Sequence, residues 1–189
     1  MEKLRAFVAV EIDQGIKKRL VDLQEVLKGV ECGVKWVEVE NIHITLKFLG
    51  YIDEANLSAV KDIVKIAITG VSPFCIEFKG VGAFPRPERP RVLTVTVKDT
   101  SGSLSRINAR LEEEFFGKLG IEKEDRRYSS HLTLGRIKFA KNVTPLVRLM
   151  ARHSADDFGV ERVESVVLMQ SQLSPEGPIY TQLEKFYLG

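Results

Sequence analysis

The sequence predicts an α+β fold built as two similar halves, and three observations carry that prediction. The tetrapeptide His43-Ile44-Thr45-Leu46 recurs as His131-Leu132-Thr133-Leu134, nearly half of the 189 residues further on. Each copy sits in a stretch where apolar and polar side chains alternate with period two, the mark of a half-buried strand. Each half also orders its elements alike: a strand, a long helix, then the strand that bears the histidine. Outside the tetrapeptides the halves share little identity, so the repeat is one of pattern. It divides the chain at about 1–85 and 90–189, inside a single bilobal domain over 1–189.

The elements follow in order. Residues 4–12, LRAFVAVEI, are apolar and β-branched enough for a first strand rather than an export signal, since no small-residue cleavage site follows. Asp13 reads as an N-cap, and Ile16, Leu20, Leu23 and Leu27 recur at helical spacing up to Gly29. A short strand from Trp36 to Val39 precedes the first motif strand, 41–50. A helix spans about 53–70, with Leu57, Val60, Ile63, Val64 and Ala67 on one side, and 73–80 is another strand. The Gly/Pro/Arg-rich stretch 80–90 reads as the connection between lobes. In the second half, 91–98 alternates as a strand and 101–119 forms a helix ending at Gly120. The charged loop IEKEDRR leads into the second motif strand, 129–139. Thr144-Pro145 opens a short helix through His153. Strands at about 161–172 and 178–187 close the chain, joined by a turn at Ser174-Pro175-Glu176-Gly177-Pro178.

With 44% hydrophobic and 29% charged residues, the chain is globular in composition, not disordered. Its apolar runs are broken by charges too often to span a bilayer. Cys32 and Cys75 form no CxxC motif, which points away from a disulfide or zinc and towards a cytoplasmic location. A net charge of +2 excludes a general nucleic-acid coat protein. The basic residues are clustered, however: Arg86, Arg89 and Arg91 lie among prolines, and Arg126 and Arg127 precede the second motif. Such clusters near the motifs suit an anionic substrate of limited size; for the Pro/Arg loop taken alone, solvated loop charge is an equal reading.

The chain has three histidines, and two of them carry Thr at +2 and Leu at +3. By chance this is roughly a one-in-ten-thousand coincidence. Strand parity places His43, Thr45 and Lys47 on one face and Ile42, Ile44, Leu46 and Phe48 on the other. In the second motif His131 and Thr133 oppose Leu132 and Leu134. Two such His/Thr faces, related by a pseudo-twofold, line opposite walls of one cleft. Imidazole titrates near neutrality, so one ring can take a proton from water while the other gives one to a leaving alkoxide. The threonine hydroxyls can donate to phosphate oxygens. No carboxylate or third imidazole stands at ligand spacing, so no metal and no cofactor is implied. His153, near a helix end, reads as a C-terminal cation.

At these residues the chain resembles the 2H phosphoesterase superfamily, named for its paired HxTx motifs, and within it the RNA 2′,3′-cyclic phosphodiesterase (2′–5′ RNA ligase, LigT-like) family. The resemblance runs through Arg5-Ala6-Phe7-Val8-Ala9, Trp36, HITLKFLG at 43–50, Phe84-Pro85, HLTLGR at 131–136 and Gly177-Pro178-Ile179-Tyr180. It implies two antiparallel sheets facing a central cleft, with helices packed outside. It implies metal-independent hydrolysis of RNA or nucleoside 2′,3′-cyclic phosphate ends to 2′-phosphates by a monomer. His43 would then be the proton donor, His131 the proton acceptor, and Thr45, Thr133 and Arg136 the phosphate contacts. Two rivals stay open: a 2′–5′ RNA ligase joining tRNA halves at the same site, and a non-catalytic binder of RNA ends or nucleotides. The chain departs from many relatives in carrying Ser130, not proline, before the second histidine. Arg136 also has the wrong parity to share a face with His131 in a regular strand, so either a bulge at Gly135 re-aims it or Arg127 takes its place. Trp36, Phe84 and Tyr128 are the aromatic side chains placed to stack on a base, with core packing the alternative for Trp36 and Phe84.

Overall fold

The computed structural model describes residues 3–139, 143–175 and 177–189 and contains two antiparallel sheets. β1 (Lys3–Glu11) is apolar on both faces because both are covered: Ala6, Phe7, Val8, Ala9 and Val10 are each no more than 2% exposed. It pairs on one side with β3 (His43–Asp53) and on the other with β8 (Ser165–Leu173). β9 (Pro178–Tyr187) completes a four-stranded sheet in the order β3-β1-β8-β9. The second sheet runs β2 (Gly33–Trp36), β6 (His131–Phe139), β5 (Val92–Lys98), β4 (Phe74–Phe84), β7 (Asp157–Val163).

Helices cover the outer sides. The Asp13 carboxylate accepts from the Gly15 N–H at 2.7 Å and caps α1 (Gln14–Lys28), which buries Ile16, Leu20, Leu23 and Leu27. α1 packs on β7, and α4 (Val143–Arg152) packs on β4. On the other sheet, α2 (Leu57–Ile68) contacts β9 and α3 (Ser103–Leu119) contacts β3. α3 stops at Gly120, whose φ of 63° is the left-handed conformation that ends a helix at little cost to glycine. Among the described residues no helix is long and apolar enough to cross a membrane.

Three features differ from the sequence reading. The strand expected over 161–172 is two strands, β7 and β8, which separate at Glu164 and enter different sheets. No glycine or proline marks that switch; pairing partners decide it. The stretch 80–90 does not join two lobes, because it finishes β4 and closes a hairpin to β5 within one sheet. The strand expected at 36–39 ends at Trp36, and Val39–Asn41 forms a 3-10 turn that delivers the chain to β3. Glu176, in the expected turn between the last strands, lies outside the described residues.

Candidate active site

Both histidines are held the same way. His43 Nδ1 lies 2.8 Å from the carbonyl of Asn41, and His131 Nδ1 lies 2.7 Å from the carbonyl of Ser129, in each case two residues upstream. A carbonyl only accepts, so each Nδ1 carries its proton and each Nε2 is left for chemistry. Asn41 is itself tied down, its side-chain amide donating to the Pro178 carbonyl at 3.0 Å. His43 and His131, with Thr45 and Thr133, line one cavity of about 670 Å³ between the sheets.

The leucine of each motif occupies a β-bulge. The register of β1 against β3 slips between Lys47 and Thr45, leaving Leu46 without a partner, and that of β5 against β6 slips between Gly135 and Thr133, leaving Leu134 without one. A bulge reverses the parity that follows it. Lys47, expected beside His43 and Thr45, therefore turns to the helix side, fully buried, and donates to the Glu112 carboxylate at 2.6 Å and the Glu122 carbonyl at 3.1 Å. Phe48, expected on the core face, comes round to the cleft, where it is 49% exposed. By the same device Arg136 lines the cavity with His131 and Thr133. The bulged residue is Leu134 rather than the expected Gly135, and Arg127 does not line this cavity.

The two rings have different surroundings. Phe7 stacks on His43 with centroids 4.8 Å apart, and Tyr180 meets both edge-on, at 5.3 Å from His43 and 4.9 Å from Phe7. Burial, helped by the nearby Lys17 ammonium and opposed by the Asn41 carbonyl, lowers the His43 pKa to about 4, so this ring is neutral at pH 7. Being neutral and protonated at Nδ1, its Nε2 accepts from the Thr45 hydroxyl at 3.0 Å. His131 packs beside Phe84 at 5.0 Å, and no such hydroxyl holds its Nε2 among the described residues.

The remaining residues named from sequence divide. Ser130 donates to the Val97 carbonyl at 3.0 Å, anchoring the entry to β6. Trp36 lines the 670 Å³ cavity. Phe84, 40% exposed, and Tyr128, whose hydroxyl donates to the Thr45 carbonyl at 3.3 Å, line a neighbouring cavity of about 570 Å³ with Arg126 and Arg127. Arg86, Arg89 and Arg91 line neither. His153 pairs with Asp156 at 2.6 Å just past α4 and away from the cleft. Phe7, Tyr180 and Phe48 are the site neighbours that strand parity missed, since the first two come from other strands and the third depends on a bulge. Among the described residues no group of three or more His, Cys, Asp or Glu side chains gathers as metal ligands would.

Known proteins resemble this chain in sequence and in fold. The family model for LigT-like phosphoesterases matches the chain twice, over residues 10–94 and 95–180. An RNA 2′,3′-cyclic phosphodiesterase of Archaeoglobus fulgidus is 41% identical over 185 residues, covering 97% of this chain and 99% of that protein. One from Methanothermobacter thermautotrophicus is 39% identical over 186 residues, covering 98% of this chain and 100% of that protein. A crystal structure from Thermus thermophilus superposes with a TM-score of 0.83 at 29% identity, covering 98% of each chain. The fold is also that of Escherichia coli LigT in complex with 3′-AMP, at a TM-score of 0.78, 19% identity and 99% coverage of both. The chain belongs to the LigT-like phosphoesterase family.

Proposed function

We propose that this protein hydrolyses the 2′,3′-cyclic phosphate ends of RNA to 2′-phosphates. The observation that carries the proposal is the pair of imidazoles whose Nδ1 atoms are locked onto backbone carbonyls, leaving both Nε2 atoms to one cavity. A binder of RNA ends has no use for two proton-transfer groups fixed in one tautomer. The Archaeoglobus and Methanothermobacter relatives, both RNA 2′,3′-cyclic phosphodiesterases, support this choice of substrate class.

In this reading the phosphate sits between the motifs, with Thr45, Thr133 and Arg136 on its non-bridging oxygens. His131 Nε2 takes a proton from water as the water oxygen bonds to phosphorus. The P–O3′ bond breaks, and His43 Nε2 gives its proton to the departing 3′ oxygen. The product is a 2′-phosphomonoester and a free 3′-hydroxyl, with water added across one P–O bond. The scheme needs no metal. His43 is neutral in the empty cleft and takes up a proton from solvent as the substrate binds, because the phosphate's negative charge opposes the burial that lowers its pKa.

Incubation with adenosine 2′,3′-cyclic phosphate, followed by phosphorus NMR of the product, tests the reading. The expected product is 2′-AMP, formed at a rate that EDTA leaves unchanged. A 3′-phosphate, or no product, would overturn the mechanism. Tracking the joining of tRNA halves in parallel distinguishes a ligase, in which a 5′-hydroxyl replaces water.

A further inference from the structure

The 570 Å³ cavity is not needed by the chemistry above, yet it shares Thr45, Phe48, His131, Thr133 and Arg136 with the catalytic cavity. The reacting phosphate therefore sits where two arms of one cleft meet. We propose that the second arm binds the 5′-phosphodiester of the terminal nucleotide, so that the protein grips the RNA chain one linkage upstream of the cyclic phosphate. This rests on the reading of the site as one for 2′,3′-cyclic phosphate ends.

The geometry of a ribose requires two exits. The cyclic phosphate spans O2′ and O3′, the base leaves from C1′, and the chain continues from C4′ through the 5′ oxygen. C1′ and C4′ flank the ring oxygen, so a seated cyclic phosphate sends base and chain in different directions. The first arm, with Trp36, Val37, Ile179 and Tyr180, offers flat apolar surface suited to a base. The second arm suits an anion. Its Lys47 is neutralised by Glu112 and its Lys123 by Glu113. With Arg136 already assigned to the reacting phosphate, Arg126 and Arg127 outnumber the remaining Glu124. Among the described residues neither Arg126 nor Arg127 has an ion pair or hydrogen bond to the protein.

These arginines also ride on a loop that is fastened to the first motif. Lys47 holds the Glu122 carbonyl, Glu112 accepts from the Glu124 N–H at 3.2 Å, and Tyr128 bonds to the Thr45 carbonyl. A guanidinium presented from a fastened loop meets a phosphodiester at lower entropic cost than one on a free surface.

The test compares adenosine 2′,3′-cyclic phosphate with the dinucleotide adenylyl-(3′→5′)-adenosine 2′,3′-cyclic phosphate. The dinucleotide should have a kcat/KM roughly ten-fold or more higher. Its logarithmic salt slope should be steeper by roughly 0.7 for each added phosphate contact. In an Arg126→Ala/Arg127→Ala variant the preference should collapse towards unity, and in an Arg86→Ala/Arg89→Ala variant of equal charge change it should persist. Equal kcat/KM for the two substrates in the unaltered protein, or a preference that survives the loss of Arg126 and Arg127, would overturn the proposal. If neither substrate is hydrolysed, the acid–base reading fails instead. The second arm is then judged by calorimetry of 2′-AMP against the dinucleotide 2′-phosphate, where equal affinity overturns it.

Discussion

The two motif strands, β3 and β6, are built alike and used differently. In both, the histidine donates a hydrogen bond from Nδ1–H to the carbonyl two residues back, and the motif leucine is a bulge. In both, the residue five places after the histidine returns to the cleft. That residue is Phe48 in one strand and Arg136 in the other. The residue four places on turns away from the cleft, and there the strands diverge for a physical reason. β3 is an edge strand, and its Lys47 side chain runs, buried, to Glu112 on α3. β6 lies between β2 and β5, and a Cβ on Gly135 would stand 2.6 Å from Val34 Cγ1. A repeated frame thus keeps the two imidazoles equivalent in placement while giving them different neighbours.

The largest expected effect tests what the strands share. His43→Ala and His131→Ala should each lower kcat by about two to four orders of magnitude with the fold retained, as judged by circular dichroism. Because the rings act as a unit, the double variant should fall little further than either alone. Full activity in either single variant would break the equivalence.

The next effect tests where the strands differ. Glu112→Ala leaves the Lys47 ammonium buried without its carboxylate and should cost about 3–5 kcal/mol in denaturant unfolding. Gly135→Ala crowds Val34 and should cost about 1–3 kcal/mol. A Glu112 variant as stable as the unaltered protein would show that the edge-strand position does not depend on its ion pair.

A third effect is in pH. His43 should titrate near pH 4 by NMR in the free protein and move upward when inorganic phosphate is added. Its folded pKa lies below the unfolded value of roughly 6.5, so the unfolded chain binds a proton that the folded chain excludes. Stability on this account is full above pH 6.5 and declines as pH falls towards 4, by on the order of 3 kcal/mol, a decline that His43→Gln should remove. A His43 signal that titrates near 6.5 would show that burial beside Phe7 does not hold this ring neutral.

Much of the site was legible because strand chemistry is local. Alternation alone puts His43 with Thr45 and His131 with Thr133, and both pairs line one cavity. Past each motif leucine alternation fails, and Lys47 and Phe48 exchange faces. Neither Leu46 nor Leu134 differs in type from a regular strand residue, so the bulges leave no compositional trace. The sheet switch at Glu164 is hidden likewise, because any apolar strand can pair with whichever neighbour the rest of the chain presents.

The sequence alone determined the α+β elements, the repeated His-x-Thr-Leu and the His and Thr side chains that share a face of each motif strand. Those follow from periodicity and side-chain chemistry, which are properties of short segments. Only the tertiary structure decided that Arg136 and Phe48 turn into the cleft, that Lys47 leaves it, and that Phe7 and Tyr180 close around His43. Those depend on register and burial, which are set by strands distant in sequence packing together.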